Sequence, residues 1–86
     1  EEMLVDAREK RMQNERRNIN VALLGRLTPR EQQVLERIVA GRLNKQIADD
    51  LGISIKTVEA HRASIMVKTN SRTIVDLMRV VMDAKA

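Results

Sequence analysis

The chain has 86 residues, room for one small domain and a tail, with a core that removes only about 60% of the unfolded surface from water. It has no cysteine and a single histidine, His61, which excludes disulfide scaffolds, cysteine-based zinc sites and a histidine-acid relay. A net charge of +4 favours an anionic partner, and the absence of Phe, Tyr and Trp disfavours both a sheet protein and a single-strand binder that stacks bases on rings.

The first 20 or so residues are crowded with charge of both signs: Glu1, Glu2, Asp6, Arg8, Glu9, Lys10, Arg11, Glu15, Arg16 and Arg17. With good helix formers and neither Pro nor Gly, this segment reads as a solvated helix that buries too little to be a domain. A coiled-coil seam is an alternative, although sustained heptads are missing. The chain starts at Glu1 without an initiator Met, which points to a piece of a longer protein. Residues 1–26 are therefore expected to form a charged helical linker, and residues 27–86 a domain.

Composition turns apolar over Val21 to Leu27, and Thr28-Pro29-Arg30-Glu31 follows as a dense helix-start signal. Thr28 caps the free amides, Pro29 suits the first helical position, and Glu31 completes a capping box. Val34, Leu35, Ile38 and Val39 recur at helical spacing as a buried stripe, and Gly41 closes the helix. Asn44 is the expected cap of a short second helix, Lys45 to Leu51, with Ile47, Ala48 and Leu51 inward. Gly52 suits the left-handed turn, and Ser54 caps a third helix to about Thr69. A fourth begins at Thr73, with Asp76 completing a second capping box.

The informative stretch is Asn44 to Ala63, NKQIADDLGISIKTVEAHRA. A helix-turn-helix needs a small residue where the helices cross, a turn residue tolerant of positive φ, and apolar anchors on either side. Ala48, Gly52 and Val58 stand at those places, with Ile47, Leu51 and Ile53 as further anchors. At about 100° per residue, placing Val58 inward also turns Ile55, Ile65 and Thr69 inward. The opposite face then carries Lys56, Glu59, Ala60, Ala63 and Val67, with Ser64 nearby.

The segment LTPREQQVLERIVAGRLNKQIADDLGISIKTVEAHRASIMVK resembles the LuxR-type effector domain of FixJ/NarL response regulators. Leu27 to Glu31, Val34-Leu35, Gly41, Asn44-Lys45, Ile47-Ala48, Leu51, Ser54, Thr57-Val58, His61, Ile65 and Lys68 carry the resemblance, over roughly residues 27 to 82. It implies an all-α fold, a four-helix LuxR-type helix-turn-helix domain behind a linker helix. Two positions depart from the family pattern: Thr69 stands where Leu or Met is usual and Ser71 where an aliphatic is usual, so looser packing is expected between the third and fourth helices.

The second helix of such a motif enters the major groove, so Lys56, Glu59, Ala60 and Ala63 are the candidate base-reading residues. Glu59 is suited to accept from a cytosine amino group, and Ala60 and Ala63 to touch thymine methyls. The competing reading of Glu59 is a solvated partner for Lys56 or Arg62. Candidate phosphate contacts are Lys45, Thr57, His61, Arg62 and Lys68. Arg62 and His61 lie near the core border, and Arg62 can either snorkel to a phosphate or pair with an acid such as Asp49.

In the fourth helix Ile74, Leu77, Met78 and Val81 form a stripe that packs on the domain, while Val75 and Met82 are left wet in a monomer. The resemblance assigns dimerisation to this helix, with Val75, Met78 and Met82 as candidates. The implied function is sequence-specific double-stranded DNA binding by a homodimer on a two-fold operator. A phosphorylated receiver domain and a sensor kinase are expected in the full-length protein, and RNA polymerase is a further candidate partner.

Two alternatives share part of the pattern: a promoter-binding module like sigma-factor region 4, and a helical protein-interaction domain. No nucleophile-base pair, paired-acid site or phosphate loop can be assembled, so no enzyme, cofactor or metal site is expected. No apolar run approaches the roughly 20 residues of a membrane span and no signal-peptide pattern is present, so a cytoplasmic location is expected.

Overall fold

The computed structural model describes residues 7–85. The first six residues of the expected linker and Ala86 at the end of the expected domain lie outside the described residues. Five helices follow in chain order: α1 (Ala7–Leu24), α2 (Pro29–Val39), α3 (Asn44–Leu51), α4 (Ile55–Lys68) and α5 (Ile74–Lys85), with no strand among the described residues. The all-α architecture is the one the sequence predicts.

Helix α2 starts where the capping signal places it. Thr28 Oγ1 accepts from the Glu31 amide at 3.1 Å, and Glu31 Oε1 accepts from the Thr28 amide at 2.9 Å. Ser54 caps α4 by accepting from the Thr57 amide at 3.1 Å. At α5 the amides of Arg72 and Thr73 donate to Asp76 Oδ2, and the Asp76 amide donates to Thr73 Oγ1. The α3 cap differs from expectation by one residue. Leu43 is the extended cap position and Asn44 is the first helical residue; Gln46, through Oε1, accepts the Leu43 amide at 2.9 Å. This is one half of a capping box: the third helical residue satisfies the amide of the cap, and Leu43 has no side-chain acceptor to return the bond.

Three helices close in the same way. Gly41 (φ 82), Gly52 (φ 66) and Asn70 (φ 54) take the left-handed conformation. The next residue donates back to the helix: Arg42 N to Arg37 O, Ile53 N to Ala48 O, Ser71 N to Met66 O, at 2.9–3.0 Å. This is the closure that turns a chain sharply out of a helix while satisfying its last carbonyls.

The core is Leu27, Val34, Leu35, Ile38, Ile47, Ala48, Val58, Ile65, Leu77 and Val81, with Leu24, Val39, Leu51, Ile53 and Met66 packed against it. Helix α4 packs on both α2 and α3, and buried Ala48 leaves room for that crossing. Two residues expected inward are exposed: Ile55 (44%) and Ile74 (43%). Each is the first residue of its helix, and helical side chains tilt toward the N-terminus, so these two project off the helix end instead of onto the core.

The α4–α5 corner corrects the expectation of loose packing. Thr69 and Ser71 are both buried. Thr69 Oγ1 donates to Ile65 O at 2.8 Å and shares a 2.9 Å hydrogen bond with Ser71 Oγ. A bonded hydroxyl pair thus occupies the space of two apolar side chains, and burial carries no unsatisfied polar atom there.

Helix α1 runs beyond the charged segment to Leu24 and is exposed from Arg8 to Ile19. One side of its last turns docks along α5, where Asn20 Nδ2 donates to Asp83 Oδ2 at 3.4 Å, while Ile19 and Val21 stay exposed. The projecting α1 makes the molecule 53 Å long and about 20 Å across.

Candidate nucleic-acid interface

The arrangement of α3 and α4 fixes which side chains face away from the protein. Val58 and Ile65 are buried against α2 and α3, and the opposite side of α4 exposes Lys56, Glu59, Ala60, Ala63 and Val67. All four candidate base-reading residues therefore share one free face. Glu59 takes part in no ion pair among the described residues, so the competing reading as a partner for Lys56 or Arg62 finds no contact to support it.

The candidate phosphate contacts divide into three groups. Lys45 is exposed in the first turn of α3, and Thr57 is exposed in the first turn of α4 with its hydroxyl 2.9 Å from Ser54 Oγ. His61 and Arg62 are half-buried on the flanks of α4, and Arg62 forms no ion pair with Asp49. Lys68 is committed elsewhere: its Nζ donates to Glu31 Oε1 at 2.7 Å.

Glu31 is the residue whose role the sequence reading understated. Beyond its capping bond it lies buried between α2 and α4, accepting from Lys68 on Oε1 and from Ser64 Oγ on Oε2 at 2.5 Å. Burial alone would raise its pKa. Hydrogen bonds from Lys68, Ser64 and the Thr28 amide, together with the Lys68 charge, outweigh it and bring the carboxyl down to about 2. The LTPRE pattern signals the capping role, whereas the partners 33 and 37 residues later become visible only once α2 and α4 are packed.

A second clasp, also missed, holds the start of the helix-turn-helix. Arg42 grips Asp50 with two hydrogen bonds, Nε to Oδ2 at 3.0 Å and Nη2 to Oδ1 at 2.7 Å, while Arg37 Nε approaches Oδ2 at 3.4 Å. Hydrogen bonding to Arg42 is the main reason that the Asp50 carboxyl stays below its ordinary value and the Arg42 guanidinium above its own. Neither clasp uses Lys56, Glu59, Ala60 or Ala63.

Helix α5 divides its surface three ways. Leu77 and Val81 enter the core, and Asp76, Arg79, Val80 and Asp83 line an open cleft with Arg16, Ile19 and Asn20 of α1. Val75 (60%) and Met82 (67%) are exposed on a third side, with Met78 half-buried beside them.

Residues 25–81 match the family described as bacterial regulatory proteins, luxR family. The chain belongs to that family. It is 47% identical over 70 residues to the transcriptional regulatory protein TdiR of Thauera aromatica, covering 81% of this chain and 30% of TdiR. It is 48% identical over 61 residues to the transcriptional regulatory protein FixJ of Rhizobium meliloti, covering 71% of this chain and 30% of FixJ. Among solved structures, the response regulator StyR superposes with a TM-score of 0.79 at 43% identity, covering 86% of this chain and 37% of StyR. Full-length FixJ from B. japonicum superposes with a TM-score of 0.75 at 35% identity, covering 84% of this chain and 37% of FixJ.

The chain thus spans about a third of the length of these relatives. It carries a LuxR-type DNA-binding domain of a transcriptional regulator, a non-enzymatic family, and the sigma-factor and protein-interaction alternatives give way to that match. No helix among the described residues is long and apolar enough to cross a membrane.

Proposed function

We propose that α4 is the recognition helix of this regulator and enters the major groove of a two-fold operator, one copy of the chain on each half-site. The observation that carries this reading is the free face of α4, where Lys56, Glu59, Ala60 and Ala63 stand together opposite the buried Val58 and Ile65. Glu59, with no ion pair to satisfy it, accepts from a base amino group, cytosine N4 being the suited donor. Lys45, Thr57, His61 and Arg62 contact phosphates at the rim and set the register. Lys68 contributes least there, because Glu31 already holds its ammonium.

Dimerisation runs through Val75, Met78 and Met82 on the side of α5 that neither the core nor α1 covers. A two-fold pair places its α4 helices about one helical turn of DNA apart, so that each reads one half-site. In the cell the chain is the effector end of a cytoplasmic response regulator. Its activity answers to a receiver domain phosphorylated by a sensor kinase, with RNA polymerase as the downstream contact. The similarity to StyR and FixJ and the short span of the chain against both support this reading.

Selection of duplexes from a random pool tests it. The enriched sites are expected to show two inverted half-sites about 10 base pairs apart, centre to centre. Glu59→Ala is expected to relax preference at one position per half-site and leave the others in place. Enrichment without any dyad, or an unchanged consensus with Glu59→Ala, contradicts the assignment.

A further inference from the structure

The outer side of α4 differs from that of α2 in one respect. Helix α2 turns Arg30, Gln33 and Glu36 to solvent, whereas α4 turns out Ala60, Ala63 and Val67 in addition to Lys56 and Glu59. At about 100° per residue these three lie within about 60° of one another, so they form one strip. Val67 is 76% exposed, more than any other large hydrophobic side chain among the described residues. A lone exposed valine needs no explanation. Aligned with two exposed alanines on the face turned away from the core, it extends an apolar surface that no described part of the chain covers.

We propose that Ala60, Ala63 and Val67 act together as a methyl-reading strip for thymine, with Val67 as a specificity-determining residue beyond the part of α4 assigned to base contacts. This rests on α4 being the helix in the groove. Base edges in the major groove present donors and acceptors, and the thymine C5-methyl is the apolar group among them. Alanines keep the helix close to the groove floor and compete for no hydrogen bond. From Ala60 to Val67 the helix rises about 10 Å, the length of about three base-pair steps, so one strip can meet methyls on more than one base pair. Cations flank the strip instead of interrupting it: Lys56 stands a turn before Ala60, and Lys68 is drawn back to Glu31. An apolar occupant is therefore favoured over a phosphate at Val67.

The test uses the best duplex enriched from a random pool and the same duplex with thymines replaced one at a time by uracil, which removes only the methyl. Affinity is measured for the chain and for Val67→Ser, which removes both methyls at an exposed position. Each methyl on the strip is expected to be worth about fourfold in affinity, the worth of one buried CH₂-sized group. At the outermost sensitive thymine the uracil effect should shrink toward onefold in Val67→Ser, while inner positions keep theirs. Overturning results are uracil duplexes that bind as tightly as thymine duplexes, or a uracil effect that is the same at every position in the chain and in Val67→Ser. A pool that yields no enriched duplex removes the recognition-helix reading itself, and this inference with it.

Discussion

Lys68 Nζ lies 2.7 Å from Glu31 Oε1, and that contact ties the last turn of α4 to the first turn of α2. Ser64, one turn earlier on α4, reaches the other carboxylate oxygen. One buried acid thus starts α2 and fixes the tilt of the helix that carries the candidate reading face.

Removing the charge of Glu31 should be costly. Glu31→Gln is expected to lower stability by about 1–3 kcal/mol, the range for losing hydrogen bonds to a charged group, measured as a fall in the urea midpoint. The acid limb should change as well. The carboxyl is lowered from 4.5 to about 2 by folding, so its contribution is complete above about pH 4.5 and fades as pH falls toward 2. Across that window the chain should lose stability faster than Glu31→Gln does.

Ile65 and Ile55 sit on the same helix but should respond very differently. Ile65 is fully buried, and Ile65→Ala is expected to cost about 2–5 kcal/mol. Ile55 projects off the helix end, and Ile55→Ala should stay within about 0.5 kcal/mol. Thermal or urea denaturation of the two variants settles the comparison.

Gly52 has open space where a Cβ would stand, so Gly52→Ala tests backbone conformation alone. At φ 66 the expected cost is about 1–2 kcal/mol, with no change in the helical circular-dichroism signal of the folded state.

Much of this was readable before folding. Thr28, Ser54 and Thr73 each lie three residues before a backbone amide that they cap, and such local geometry is written in spacing. The outward face of α4 followed from one periodicity and one anchored residue, Val58. What stayed hidden depends on position along a helix or on distant packing. Periodicity places Ile55 and Ile74 inward because it knows the angle of a side chain but not that the helix has just begun. The grip of Arg42 on Asp50, and of Lys68 on Glu31, joins charges that look like ordinary solvated residues until the helices meet. The buried Thr69–Ser71 pair shows the same thing in reverse, since two hydroxyls that read as loose packing are satisfied by bonding to each other.

Met82→Lys places a charge on the uncovered side of α5 without entering the core. Monomer stability should move by less than about 0.5 kcal/mol, while sedimentation on operator DNA should show one bound copy where the chain shows two. Two copies bound by the variant would move the dimer contact away from Val75 and Met82.

The face bearing Lys56, Glu59, Ala60 and Ala63, with Lys45 at its rim, is proposed to bind duplex DNA. A fluorescence titration of operator duplex at rising salt tests this. Log affinity should fall linearly with log salt, and Lys45→Ala should flatten the slope by about 0.9, the effect of one lost phosphate contact. Lys68→Ala should leave the slope close to that of the chain, because its ammonium is held by Glu31. Affinity that ignores salt, or a slope untouched by Lys45→Ala, would contradict the account.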